Sequence, residues 1–150
     1  MNYRQKTTEM LQDYEQLKAS IVNMTNEIFE IEQEESTVSG VRYDKEKLSN
    51  SYNTNSSTED EAINNLTKIE LLNKKIEITE SKVSRLSNAL YALNETERYI
   101  IVNKIVKSRP YFKFTHEVNI SERHCRRIKN IAIEKIVKAL YGDKEVRAVR

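Results

Sequence analysis

Five polar side chains crowd the six positions after Ser121: Glu122, Arg123, His124, Arg126 and Arg127, interrupted only by Cys125. An arginine guanidinium fits phosphate oxygens and the O6/N7 edge of guanine as a two-pronged fork, and a glutamate can accept from cytosine N4. Ser121 is a good helix N-cap, because its hydroxyl accepts from a free N–H of the first turn. Glu122, Arg123, His124 and Arg127 lie one, two, three and six positions beyond that cap. On a helix starting there they face outward, placed to read base edges. Ser121, Arg126, Lys129, Lys107, Arg109 and Lys113 are the expected contacts to backbone phosphates. Cys125, Ile128 and Ala132 follow at spacings of three and four and form an apolar back. The stretch THEVNISERHCRRIK, Thr115 to Lys129, is therefore expected to be the turn and second helix of a helix-turn-helix, with double-stranded DNA as its partner.

Other chemistries fit these residues less well. His124 and Cys125 are adjacent, so on a helix they point about 100° apart, and no CxxC or HxxxH spacing supplies further ligands. The chain has no phosphate-cradling glycine loop, and acidic residues such as Glu59, Asp60 and Glu61 suit a helix start. No metal, no cofactor and no enzymatic activity are expected.

Charge and composition give the setting. The 150 residues carry a net charge of +2, with 32% charged and 38% apolar residues, two glycines and one proline. So few turn-formers point to an all-α chain. Residues 94–150 hold fourteen Lys/Arg against seven Asp/Glu, whereas residues 1–93 hold eleven against sixteen. A basic C-terminal third on an acidic remainder suits a nucleic-acid-binding unit joined to a protein-interaction unit. No apolar run is long enough to span a membrane, no signal peptide is visible at the N-terminus, and one cysteine fits a reducing cytoplasm.

The elements that must position the basic helix are long and few. Tyr3, Thr7, Met10, Tyr14, Leu17, Ile21, Met24, Ile28 and Ile31 alternate at four and three, a heptad seam over a first helix of about residues 3–35. Leu11, Val22 and Phe29 form a second partial stripe. Residues 36–57, rich in Ser, Asn and Thr, are expected to be a flexible loop. A second helix of about residues 58–93 starts at a Thr58/Glu61 capping box and carries Leu66, Ile69, Leu72, Ile76, Thr79, Val83, Leu86, Leu90 and Leu93. The two helices can pair as an antiparallel hairpin within the chain, or between chains as an oligomerisation element.

Asn94 with Glu97 makes another capping box and restarts the chain in a new direction. The next helix carries Tyr99, Ile101, Val102, Ile105 and Val106 and ends at Ser108–Pro110. Tyr111–Val118 is expected to be a short helix, with Phe114 and Val118 inward. Asn119 forms the turn, and the basic helix runs from Ser121 to about Tyr141, ending at Gly142. Residues 143–150 are a charged tail. The domains read as 1–93 for interaction and 94–142 for DNA binding.

The run KFTHEVNISERHCRRIKNIAIEKIV resembles, without a gap, the end of region 4 of sigma-70-type sigma factors. Phe114, Val118 and Ile120 fall on that family's turn apolars, Ser121 on its cap, Arg126 on a recognition-helix arginine and Ile128 on its core isoleucine. Ala132, Glu134, Lys135 and Ile136 match its ending, and LNETERYIIVNKIV resembles its start. Asn119 stands where the family has glycine, Thr115 where it has alanine, and Glu122 where it has arginine. Nothing before residue 90 is similar to other sigma regions. A long helical pair on a lone region-4-like domain is similar to phage late transcription regulators of the RinA/ArpU type. That resemblance implies activation of late phage genes in the bacterial host cytoplasm, with RNA polymerase as a further candidate partner. Two alternatives stay open: a DNA-packaging protein like a terminase small subunit, and a helical adaptor that touches polymerase without binding DNA.

Overall fold

The computed structural model describes residues 2–40 and 55–142. Its elements are α1 (Tyr3–Gln12), α2 (Tyr14–Gly40), α3 (Asn55–Tyr91), α4 (Glu95–Ile101), a π-helical turn (Val102–Val106), a 3-10 turn (Tyr111–Lys113) and α5 (Glu122–Tyr141). The fold of the described residues is all-α. The chain divides into two compact units, Met1–Lys18 with Ser81–Arg150, and Ala19–Glu80. None of the described helices is long and apolar enough to cross a membrane.

The expected first helix is present but bent. Asp13 separates α1 from α2, yet its N–H still donates to the Glu9 carbonyl and its own carbonyl accepts from Leu17. The seam from Tyr3 to Ile31 is buried or half-buried at every position, which is what a heptad stripe requires. The second stripe splits: Leu11 is fully buried, whereas Val22 and Phe29 are more than half exposed. Helix α2 continues to Gly40, past the expected helix end at about residue 35, so residues 36–40 of the expected loop are helical. Helix α3 begins at Asn55 rather than at a Thr58 cap. A run of Ser, Thr and acidic residues next to a strong helix is drawn into it, because propagation costs far less than nucleation. The rest of the expected loop, residues 41–54, and the tail, 143–150, lie outside the described residues.

In the unit Ala19–Glu80, Lys68 of α3 pairs with Glu27 of α2 at 2.8 Å, and Ile31 and Leu72 are buried. Lys68 is raised above the usual lysine range by that hydrogen bond first. Thr79 returns its hydroxyl to the Lys75 carbonyl at 2.7 Å, within its own helix. Leu66, expected on the inner stripe, is 59% exposed, as are Ile63, Leu71 and Ile78 to a similar degree.

The other unit holds a continuous core. Leu11 and Tyr14, with Leu86, Ala89, Leu90 and Leu93 of the α3 end, meet Ile101, Ile105 and the Ala132, Ile133, Ile136 and Val137 face of α5. The compact body that holds the basic helix thus includes α1 and the last turns of α3 as well as residues 94–142. The reason is area: residues 94–142 alone leave the second half of α5 with an apolar face to cover, and α1 and α3 cover it. Polar contacts follow the same path. Arg4 pairs with Glu134 at 3.3 Å, Arg85 donates to the Leu140 carbonyl at 3.1 Å, and Tyr3 and Tyr141 stack with ring centroids 4.9 Å apart.

The corner between α3 and α4 is locked by three side chains within five residues, Asn94, Glu97 and Arg98. Asn94 accepts from the Glu97 N–H at 2.8 Å, and the Glu97 carboxylate accepts from the Asn94 N–H at 3.2 Å, the expected capping box. Arg98 then reaches back, donating to the carbonyls of Leu90, Tyr91 and Leu93 that end α3. Glu97 is buried, and its other oxygen accepts from Lys135 of α5 at 2.6 Å. One carboxylate thus ties the start of α4 to the middle of α5. Glu97→Ala is expected to cost about 1–3 kcal/mol of unfolding free energy, and Glu97→Gln less, because Gln still accepts from Asn94. Urea unfolding followed by circular dichroism checks this; an unchanged midpoint for Glu97→Ala would show that the corner is held by something else.

Candidate nucleic-acid interface

Helix α5 starts as the sequence indicates. Ser121 is its N-cap, with extended backbone, and accepts from the His124 N–H at 3.3 Å. Asn119 sits in the left-handed region at φ 50°, where the polar Asn side chain is better tolerated than most. Glu122, Arg123, His124, Arg126 and Arg127 are all exposed, and Cys125 between them is fully buried. The cationic front and apolar back expected for these turns are therefore both present.

The back is a second small core of Ile100, Tyr111, Phe114 and Cys125, with Tyr99, Val118, Ile120 and Ile128 around it. Ile100 was not among the expected inward residues, since the pattern favoured its neighbour Ile101. Both are fully buried, because α4 lies between the two cores. Burial pushes the Cys125 thiol up, and the thiol donates to the Ile120 carbonyl at 3.9 Å. Among the described residues no group of three or more His, Cys, Asp or Glu could hold a metal ion.

The segment before the turn differs from the expected short helix. After Pro110 the chain makes one 3-10 turn, Tyr111–Lys113, and then a series of tight turns. The carbonyl of Tyr111 accepts from both Phe114 and Thr115, and that of Phe114 from Glu117. Eight residues entered from an extended proline and containing β-branched Thr115 and Val118 are too few to propagate an α-helix without strong local support. Phe114 and Val118 still point inward, because turns bring residues three and four apart together much as a helix does.

Upstream, the α4 helix widens into the π-helical turn, with the Lys107 N–H donating to the Val102 carbonyl at 2.9 Å, and stops at Ser108, whose φ is 50°. Arg109 is half-buried and donates to the Asn103 side chain at 2.6 Å, to the Lys113 carbonyl at 3.3 Å and to Glu117 at 3.4 Å. Its guanidinium, assigned from sequence to phosphate contact, braces the turn segment. Asn103 is buried and donates to the Tyr99 carbonyl, completing the brace. Lys107 and Lys113 are both exposed.

Two residues of the basic face are engaged with each other. Glu122 forms an ion pair with Arg126 one helical turn on, and this hydrogen bond is the main reason Arg126 is raised above its ordinary range. Arg126 also lies over the Tyr111 ring, 5.3 Å from its centroid. Arg123, His124 and Arg127 project from the same exposed turns. Lys129 is half-buried rather than on the open face. Arg4, Lys104, Asn103, Tyr111 and Glu117 belong to this region and were not singled out from sequence. Lys104, three residues before Lys107, carried no distinguishing signal, and Arg4 arrives from the opposite end of the chain.

No family model matches this chain, and neither the curated proteins nor the solved structures include a significant match to it.

The Tyr99 hydroxyl donates to Glu117, and this bond, ahead of the nearby Arg109, holds the Glu117 carboxyl below its usual range. A carboxylate with a depressed folded-state pKa adds stability above the ordinary carboxylate range and loses it as pH falls through its own lowered value. Tyr99→Phe removes the largest cause. The melting-temperature gap between wild type and Tyr99→Phe is expected to be widest near neutral pH and to shrink as pH falls toward about 3. A gap constant with pH would mean the hydroxyl acts through packing alone.

Proposed function

We propose that this chain is a sequence-specific double-stranded-DNA-binding transcriptional regulator, with residues 94–142 acting as a sigma-70 region 4-like helix-turn-helix. The observation that carries the proposal is the first two turns of α5: Arg123, His124 and Arg127 exposed, over a fully buried Cys125, on a helix capped by Ser121. A helix of 20 residues is about 30 Å long, enough for its N-terminal turns to enter a major groove while its second half stays packed in the core. In this reading Arg123, His124 and Arg127, with Glu122 once its pair with Arg126 opens, read base edges. Ser121, Lys107, Lys113 and Arg126 hold phosphates, with Arg109 bracing the turn beside them.

The resemblance of the sequence to RinA/ArpU-type regulators supports a role in activating late phage genes, with RNA polymerase as a second contact. Self-association through the unit Ala19–Glu80 belongs to the same proposal. Val22 and Phe29 on α2, and Leu71 and Ile78 on α3, are each seven residues apart and more than half exposed, the spacing of an outer coiled-coil stripe.

The direct test is selection of duplexes from a random library, followed by fluorescence anisotropy on the selected sequence over a range of salt. Arg123→Ala with Arg127→Ala is expected to weaken binding about 30-fold or more, given about 1–3 kcal/mol per base contact, and to relax sequence preference. If both survive the double substitution, α5 does not read DNA. For self-association, Phe29→Glu with Ile78→Glu is expected to shift the sedimentation coefficient to that of a monomer. A wild-type protein already monomeric at high concentration would remove that part of the proposal.

A further inference from the structure

In the unit formed by Met1–Lys18 and Ser81–Arg150, three cations from three separate elements act on a fourth: Arg4 on α1, Lys104 on the π-helical turn and Arg126 on α5 all bear on Lys129 of α5. Two carboxylates stand at the rim of this group, Glu134 on Arg4 at 3.3 Å and Glu122 on Arg126. Among the described residues no carboxylate pairs with Lys104 or Lys129. The Lys104 ammonium donates only weakly, to the Arg109 carbonyl at 3.4 Å. Lys129 is half-buried, and burial first, then Lys104, Arg126 and Arg4, hold its ammonium below the usual lysine range. Folding therefore brings like charges together and removes Lys129 from water, a cost that falls on Lys129 because the rim carboxylates pair with Arg4 and Arg126 instead.

Tyr111 lies among them. Lys104 stands 4.9 Å and Arg126 5.3 Å from its ring centroid, so the ring positions both cations. Tyr111 is 8% exposed, and its hydroxyl is buried with no hydrogen-bond partner. Buried hydroxyls are normally satisfied, so this one lacks an acceptor. Converging cations, an idle donor and no central carboxylate are complementary to one chemical class, a tetrahedral oxyanion.

We infer that Lys104, Lys129, Arg126 and Tyr111, with Arg4 at the rim, form a phosphate-binding cradle. Lys104 and Lys129 supply point charge. Arg126 donates through the N–H groups that Glu122 does not use, and Tyr111 donates its hydroxyl as the side chains close round the ligand. The source of the phosphate rests on the DNA-binding proposal: a backbone phosphodiester beside the groove that α5 enters. The cradle itself rests on the contacts of Lys104 and Arg126 with Tyr111 and on the like charges that act on Lys129, and it would accept inorganic phosphate as well. It adds to the basic face a clamp reaching α1, which fixes how deep and at what angle α5 can lie.

The test uses the full chain with Lys104→Met and Lys129→Met, singly and together, and Lys129→Arg as the charge-keeping control. Duplex affinity measured against salt should lose about 0.9 from the slope of log K for each lysine removed, equally on selected and unrelated duplexes, with Lys129→Arg restoring the slope. In a second arm, thermal melting compares inorganic phosphate with chloride at matched ionic strength. Phosphate should raise the wild-type melting temperature and leave the double variant unchanged, while in chloride the variant melts no lower than wild type because a repulsion is gone. Duplex binding with an unchanged slope, together with no phosphate-specific stabilisation, overturns the cradle and leaves the DNA-binding proposal standing. Phosphate stabilisation that the variant abolishes, in a protein that retains no duplex, keeps the cradle with a free anion as its ligand and removes the DNA-binding proposal.

Discussion

The structure hangs on a corner. Asn94, Glu97 and Arg98 occupy five residues, and through them the end of α3, the start of α4 and the middle of α5 are joined by hydrogen bonds. Each partner there is a backbone group that a helix terminus leaves unpaired, or a buried charge that must be matched. Arg98 satisfies the carbonyls that α3 exposes as it stops, and Glu97 satisfies the N–H that α4 exposes as it starts. Because Glu97 also accepts from Lys135, the direction in which α4 leaves the corner is coupled to the position of α5. A looser corner would let the basic helix pivot.

That coupling explains the division of labour along α5. Its second half presents Ala132, Ile133, Ile136 and Val137 to α1 and α3 and is fixed by them. Its first half rests on the small core around Phe114 and leaves its charged side chains in water. A helix held this way is rigid in its packed half and keeps the charged side chains of its other half hydrated. The Glu122–Arg126 pair sits on the hydrated half, so its strength is modest and a polyanion can compete with it.

Local signals in the chain carried much of this. Heptad spacing named the inner seam of α1 and α2 from Tyr3 to Ile31. The Asn94/Glu97 and Ser121 caps, and the tolerance of Asn119 for positive φ, marked where helices begin and turn. All of these depend on neighbours within four residues, and that is why they are legible. Leu66 shows the limit: it fits the inner stripe as well as Leu72 does, and only the contact surface of the partner helix leaves it outside. The segment Tyr111–Val118 shows another, since its turns and an α-helix bury the same two side chains.

By itself the sequence determined an all-α chain, its helix caps, the cationic front of α5 and the buried cysteine behind it, because each follows from spacing along one element. Only the tertiary structure decided that α1 and the end of α3 belong to the body that carries α5. It also decided that Arg109 braces a turn, that Ile100 is core, and that Arg4, Lys104 and Arg126 gather around Lys129. These residues come from opposite ends of the chain, and their meeting depends on how apolar faces are covered in three dimensions, which no local spacing encodes.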